Sequence, residues 1–269
     1  MEKIFDTHAH YFDAKFSEIE GGADEILSSD EFTNKVSHVV NVGSIPSNPY
    51  VSIELAKKYD FIYSAVGIHP SDAQNVCKDD VKGFLAVIEG LIATEQSIRE
   101  NKIVAVGEIG FDYYWQPVDK ETQYKYFDGQ MKLAQKYNMP VIVHNRDAHG
   151  DTFDMICKYP SVRGIIHSCS MSPEMTKEIV KRGWYISFSG TLTFKNANKV
   201  REACAAVPLD RLLIETDAPY LAPSPYRGKI NNSVYMQYTA QAAADIHGVT
   251  YDELAIITRE NAKKIFNLK

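Results

Sequence analysis

Short runs rich in valine and isoleucine recur along this chain, each followed by a stretch with helical spacing, and this alternation constrains the fold more than any other feature. The runs cover residues 3–10, 35–43, 61–68, 103–108, 140–144, 162–167, 184–189 and 211–216. They are short for helices and apolar on both faces, as expected of parallel strands covered on both sides. Helical spacing occupies 49–59, 79–100, 121–137, 151–158, 173–182 and 196–206, and the chain closes with 233–247 and 251–266. Eight strands alternating with helices, at about thirty residues per repeat, predict the α/β class and a (β/α)8 TIM barrel. A doubly wound open sheet is the alternative. No Gly-rich dinucleotide fingerprint follows any run, and there is no Walker loop, low-complexity linker or shift in composition. One domain over residues 1–269 is therefore expected.

Composition narrows the function classes. Hydrophobic residues at 45% and charged residues at 24% match a soluble globular protein with a sizeable core. A net charge of −6 argues against holding duplex DNA by a broad basic face, but not against an enzyme that draws one strand end into a pocket. No apolar run approaches the ~18 residues of a membrane span. Met1-Glu2-Lys3 leads into the first strand without a basic segment and an apolar one ahead of it, so no secretory signal is expected. Cys77, Cys157, Cys169 and Cys204 are widely spaced and form no CxxC pair. Reduced thiols and a cytoplasmic location follow as expectations, with no membrane association and no obligate protein partner.

The polar residues that end these strands carry the chemistry. His8 and His10 are two residues apart in a strand, so both rings point to one face and reach one ion. Glu108 ends the fourth strand, His144 the fifth, His167 the sixth, and Asp217 follows the eighth. In a barrel, strand carboxyl ends are where catalytic groups gather, so these residues predict a metal site. Four histidines and two carboxylates suffice for two ions if one carboxylate bridges, and Glu108 is the bridge expected. Such a pair supports metal-assisted hydrolysis. Histidine-rich ligation suits zinc, manganese or iron better than magnesium.

Six ordered motifs add a resemblance. They are Phe5-Asp6-Thr7-His8-Ala9-His10, Val66-Gly67-Ile68-His69-Pro70, Gly107-Glu108-Ile109-Gly110-Phe111-Asp112-Tyr113, Val143-His144-Asn145-Arg146-Asp147-Ala148, Ile166-His167-Ser168, and Glu215-Thr216-Asp217-Ala218-Pro219-Tyr220-Leu221. Together they resemble the TatD-type metal-dependent deoxyribonucleases of the amidohydrolase superfamily, over essentially the whole chain. The resemblance implies a divalent-metal TIM barrel acting on phosphodiesters, typically as a 3′-to-5′ exonuclease on single-stranded DNA or RNA, often with magnesium. It implies His8, His10, Glu108 and Asp217 around one metal and Glu108, His144 and His167 around the other, with Asp217 orienting or deprotonating the attacking water. His69 is then expected on the substrate phosphate. Arg146, Lys195 and Arg227 are candidate phosphate contacts, as is Lys229, while Tyr113 and Phe194 are candidate stacking surfaces.

The chain departs from the family pattern in places. Ser71 stands where many relatives have a further histidine, and Met171 where a glycine is usual. After the eighth strand it reads Arg227-Gly228-Lys229-Ile230-Asn231-Asn232-Ser233, where relatives usually carry a cation, a carboxylate and a proline in place of Ile230, Asn232 and Ser233. The metal-ligand positions are all kept, so hydrolysis is expected while the substrate is less constrained. An amide or ester hydrolase of the same superfamily, such as a D-aminoacyl-tRNA deacylase, is the alternative.

Overall fold

Strands rich in buried aliphatic and aromatic residues set the architecture, because a segment apolar on both faces must be covered on both. The computed structural model describes residues 1–43, 50–75 and 78–269. In chain order, β1 (Ile4–Ala9) leads to α1 (Gly22–Leu27), α2 (Asp30–Lys35) and β2 (Val36–Val42). Next come α3 (Val51–Lys58), β3 (Ile62–Val66), α4 (Pro70–Asn75), α5 (Val81–Ile92), α6 (Glu95–Glu100) and β4 (Ile103–Asp112). Then α7 (Lys120–Tyr137), β5 (Val141–Arg146), α8 (His149–Lys158), β6 (Gly164–Ile166), α9 (Pro173–Lys181), β7 (Tyr185–Phe188), α10 (Asn198–Ala206), β8 (Leu212–Ile214), α11 (Met236–His247) and α12 (Tyr251–Ile265) complete the chain. The eight strands form one sheet in the order β1 to β8, the (β/α)8 barrel topology that the alternation predicts.

The chain divides into two compact units, one of Met1–Asn41 with His167–Lys269 and one of Val42–Ile166. In the first, β1 pairs parallel with β2, β7 with β8, and a bridge joins Ala9 to Ala218. Helix α12 packs on β1 and β8, and its Asn261 Nδ2 donates to the carbonyls of Leu209 (2.7 Å) and Leu212 (2.9 Å). A capping box of Thr250 and Glu253 starts this helix. In the second unit, β4 is buried along its whole length, pairs with β3 and β5, and is covered by α7.

Several boundaries differ from the sequence expectation, each for a local reason. The predicted helix over 79–100 is two helices, because the Thr94 hydroxyl accepts from Ser97 N (3.1 Å) and starts α6 afresh. Strand β4 continues past Glu108 to Asp112, and Gly110 permits it. Its φ is +142°, and an added Cβ would collide with the His144 carbonyl oxygen across the β4–β5 pair. Helices α1 and α2, between β1 and β2, are polar enough to have escaped the periodicity reading. The helix predicted from 233 begins with a 3-10 turn over Ser233–Tyr235. Pro49, the expected start of the helix over 49–59, and Cys77 lie outside the described residues, while Cys157, Cys169 and Cys204 are unbridged. Among the described residues no helix is long and apolar enough to cross a membrane.

One charged group joins α7 to the residues that end and follow α8. The buried Asp128 carboxylate accepts from Lys158 Nζ (2.5 Å) and the Tyr159 hydroxyl (2.6 Å), and pairs with Lys132 (2.7 Å). Burial pushes this carboxyl up, but the two lysines and the tyrosine outweigh it and hold it at about 2. A depressed native pKa contributes stability above the ordinary carboxylate range that is lost as pH falls toward about 2. Asp128→Asn is therefore expected to cost about 2 kcal/mol at neutral pH. Urea titrations should show the gap between variant and wild type closing as the pH is lowered through that window, and a gap independent of pH would disprove the assignment.

Candidate metal centre

In the unit containing β1 and β8, the end of β1 delivers two imidazoles to one place. His8 Nε2 and His10 Nε2 are 3.1 Å apart, and Asp217 Oδ1 lies 3.7 Å from the first and 3.4 Å from the second. The His167 ring stacks on His8 at 4.1 Å between centroids, and ligand atoms of His8, His167 and Asp217 all lie within 4.8 Å of one another. Two imidazole nitrogens at hydrogen-bond distance, with a carboxylate beside them, form the donor set of a divalent cation. Burial pushes the Asp217 carboxyl up, but His10, His167 and His8 together outweigh it and hold it below its ordinary value. Its backbone is left-handed, with φ 58°, and is held there by its N–H donating to the His8 carbonyl (2.9 Å).

Carboxylates behind the ligands hold this arrangement. Glu215 Oε1 lies 3.2 Å from His167 Nδ1, so this carboxylate accepts the Nδ1 proton and leaves Nε2 with a lone pair for an ion. The other oxygen, Oε2, is buried with no hydrogen-bond partner among the described residues. Asp6 is fully buried and accepts four hydrogen bonds, from His8 N (3.2 Å), Thr216 N (3.1 Å), Thr216 Oγ1 (2.7 Å) and Ser233 Oγ (2.6 Å). Burial drives its carboxyl up to about 7, against the pull of these donors. Asp6 thereby clips β1 to the segment that carries Asp217.

In the other unit a second cluster forms at the ends of β3, β4 and β5. Ligand atoms of His69, Glu108 and His144 lie within 4.8 Å of one another. His144 sits between two carboxylates, with Nδ1 2.9 Å from Glu108 Oε1 and Nε2 2.9 Å from Asp112 Oδ2. His69 differs from the other rings. Its Nδ1 accepts the Ser71 backbone N–H (3.1 Å), so in the neutral ring Nε2 carries the proton and acts as a donor, 3.8 Å from Glu108 Oε1. Burial, and the His144 hydrogen bond and charge that outweigh it, leave the Asp112 carboxyl below its ordinary value. The Asp72 carboxyl on α4 is instead raised to about 7, by burial first and by the Glu108 charge second.

Arg146 and Arg227 are exposed, each guanidinium lying over an aromatic ring, Tyr114 at 3.8 Å and Phe194 at 4.1 Å. Lys229 lies 5.5 Å over Tyr226, and Lys195 is exposed, its backbone carbonyl accepting from Arg201 (3.2 Å). The Tyr113 hydroxyl donates to Asp151 (2.6 Å) and its ring carries Lys120. The sequence reading assigned no role to Asp6, Asp112 or Glu215. Their signal was an acidic residue inside or at the end of an apolar strand, which needs a partner to stay buried.

The family model for TatD-related DNases matches residues 5–267. The chain belongs to the TatD-related DNase family. YabD of Bacillus subtilis (strain 168), named an uncharacterized metal-dependent hydrolase, is 39% identical over 98% of this chain and 99% of its own length. YcfH of Escherichia coli (strain K12), named in the same way, is 32% identical over 98% of this chain and 96% of its own. The crystal structure of YJJV, a TatD homologue from Escherichia coli K12, superposes with a TM-score of 0.87 at 28% identity, covering 99% of this chain and 98% of that one. This TatD-family chain is thus a metal-dependent hydrolase with His, Glu and Asp clusters able to hold metal.

If Glu215 fixes the ring of a metal-binding His167, Glu215→Gln should weaken manganese binding about 10–100-fold, since a neutral amide holds the Nδ1 proton less strongly. Isothermal titration of the metal-stripped protein measures this, and unchanged affinity in a folded variant would refute the role.

Proposed function

We propose that this TatD-family protein hydrolyses phosphodiester bonds of single-stranded DNA or RNA, trimming from the 3′ end, with a divalent ion at each of the two clusters. The observation that carries this reading is the two clusters, ligand atoms of His8, His167 and Asp217 within 4.8 Å of one another in one unit, and Glu108 2.9 Å from His144 in the other, with His69 beside them. His10 joins the first and Asp112 stands behind the second. Bound divalent ions supply Lewis acidity to a phosphoryl oxygen and lower the pKa of water.

The protein groups divide the remaining work. Asp217, ionised at neutral pH and beside His8 and His10, takes the proton of the attacking water. His69 directs its Nε2–H at a phosphate oxygen, because the Ser71 N–H already occupies Nδ1. Glu108 and His144 serve as ligands in the same unit. Arg146 in the unit of the second cluster, and Lys195 and Arg227 in the unit of the first, are exposed cations that suit phosphate contacts. The altered segment after β8 does not favour the amide or ester alternative, since Asn232 Oδ1 accepts from Val234 N (2.9 Å) and Ser233 Oγ is engaged with Asp6 (2.6 Å), so both side chains serve the fold.

Incubating a 5′-labelled single-stranded DNA with Mg²⁺, with Mn²⁺ and with EDTA tests the reading. Progressive shortening from the 3′ end, abolished by EDTA, is expected. A D-aminoacyl-tRNA consumed in parallel while the DNA stays intact would replace it with the deacylase reading. Glu108→Ala should lower kcat/KM on the DNA by about a thousandfold or more, equivalent to ~4 kcal/mol of transition-state stabilisation. Near-normal turnover in that variant would remove Glu108 from the metal machinery.

A further inference from the structure

The connection after β4 carries an aromatic pair that the proposed chemistry does not use. Trp115 and Tyr114 are 57% and 50% exposed, adjacent in sequence, and meet edge to face at 4.9 Å between centroids. Exposing two large rings side by side has a hydrophobic cost that a structural role would avoid by burial. Over the Tyr114 ring, at 3.8 Å, lies the guanidinium of Arg146, which is 5.5 Å from the Trp115 ring centroid. Arg146 is exposed and has no carboxylate partner among the described residues. The cluster thus offers aromatic surface together with a cation whose hydrogen-bonding edge is not committed to an acid.

The same cluster is tied to the metal-site histidine of its unit. Asp112 Oδ1 accepts the backbone N–H of Tyr114 (2.9 Å) and of Trp115 (3.3 Å), while Oδ2 of the same carboxylate holds His144 Nε2 (2.9 Å). The Tyr113 N–H donates to the Arg146 carbonyl (2.9 Å), continuing the β4–β5 pairing of Asp112 with Arg146. The aromatic pair is therefore held two and three residues beyond Asp112, the last residue of β4, and the guanidinium belongs to the last residue of the adjacent β5.

We infer that Trp115, Tyr114 and Arg146 form a nucleotide-binding platform, on which a base of the single-stranded substrate stacks against Trp115 while Arg146 takes its phosphate. This rests on the nuclease reading above and adds where the strand is gripped. Planar bases stack on aromatic rings whatever their sequence, and a guanidinium supplies paired donors to phosphate oxygens.

The chain has two tryptophans, and Trp184 is buried at 1% exposure, so quenching of tryptophan fluorescence by a bound base reports on Trp115. The probe is a short oligodeoxyadenylate with non-cleavable phosphorothioate linkages, added to the metal-loaded enzyme. Quenching is expected on titration. By anisotropy of the labelled probe, Trp115→Ala should bind about tenfold more weakly and Trp115→Phe within about twofold of wild type, as stacking predicts. Arg146→Ala should flatten the slope of log Kd against log salt by about 0.7, the value for one phosphate contact on a single strand. Cleavage of DNA by wild type without quenching, and with unchanged affinity in Trp115→Ala, would overturn the platform and leave the nuclease reading standing. Quenching without cleavage under any metal would do the reverse, and the absence of both would overturn both.

Discussion

The pairing of imidazole with buried carboxylate governs how this chain can present metal-binding groups at all. An isolated carboxylate or imidazolium inside a protein is costly, and the cost falls only when the charge is shared with hydrogen-bonded partners. Glu215 beside His167, and Asp112 beside His144, meet that condition with contacts of 3.2 and 2.9 Å. The Glu215 contact also selects which His167 nitrogen keeps a proton and which offers a lone pair, whereas both nitrogens of His144 face carboxylates. Asp6 solves a different problem with the same means. Its four donors come from β1, from the residues after β8 and from Ser233, so one buried acid fixes the backbone on which His8 and Asp217 both depend.

The same dependence extends to the segment after β8, whose side chains are committed to holding the strand ends. Asn231 Nδ2 donates to the carbonyls of Thr216 (3.0 Å) and Tyr220 (2.7 Å), and the Tyr11 hydroxyl accepts from Ser233 N at 2.9 Å. Ser233 supplies a backbone donor to the Tyr11 hydroxyl and a hydroxyl that reaches Asp6. The Asn232 side chain is engaged locally, its Oδ1 accepting from Val234 N (2.9 Å). The cations that remain there, Arg227 and Lys229, are exposed and rest on aromatic rings.

The fold was legible because strand interiors are a strong, local signal. Ile103 to Val106 and Val141 to Val143 contain nothing but aliphatic residues, and eight apolar-rich runs with helices between them leave few topologies. The candidate ligands were legible for a related reason: His, Glu and Asp directly after such runs have no apolar explanation. Less legible were features set by contacts distant in sequence. Asp6 meets Ser233 across 227 positions and Glu215 meets His167 across 48, and no periodicity records either. The extension of β4 to Asp112 was hidden by Gly110, which a strand reading treats as a stop but which here lets β5 approach closely. The break between α5 and α6 turns on one hydroxyl, that of Thr94.

Asp112 shows why such distant contacts matter for function as well as for folding. A carboxylate has two oxygens, and here they face different tasks: one holds the backbone of Tyr114 and Trp115, the other the ring of His144. Rotation of that carboxylate to follow a displaced loop would lengthen its contact with the imidazole, so loop position and ring orientation are mechanically linked. The carboxylate is itself anchored, because the Asp112 backbone N–H donates to Gln123 Oε1 (2.9 Å) and its carbonyl accepts from Gln123 Nε2 (2.8 Å) on α7. Gln123 Nε2 also reaches Gln74 Oε1 (2.8 Å) on α4, and that same oxygen accepts from Asp119 N (2.9 Å) at the start of α7. A chain of buried amides therefore runs from two helices to one carboxylate and on to one histidine. The precision of the cluster is set by helices that carry none of its ligands.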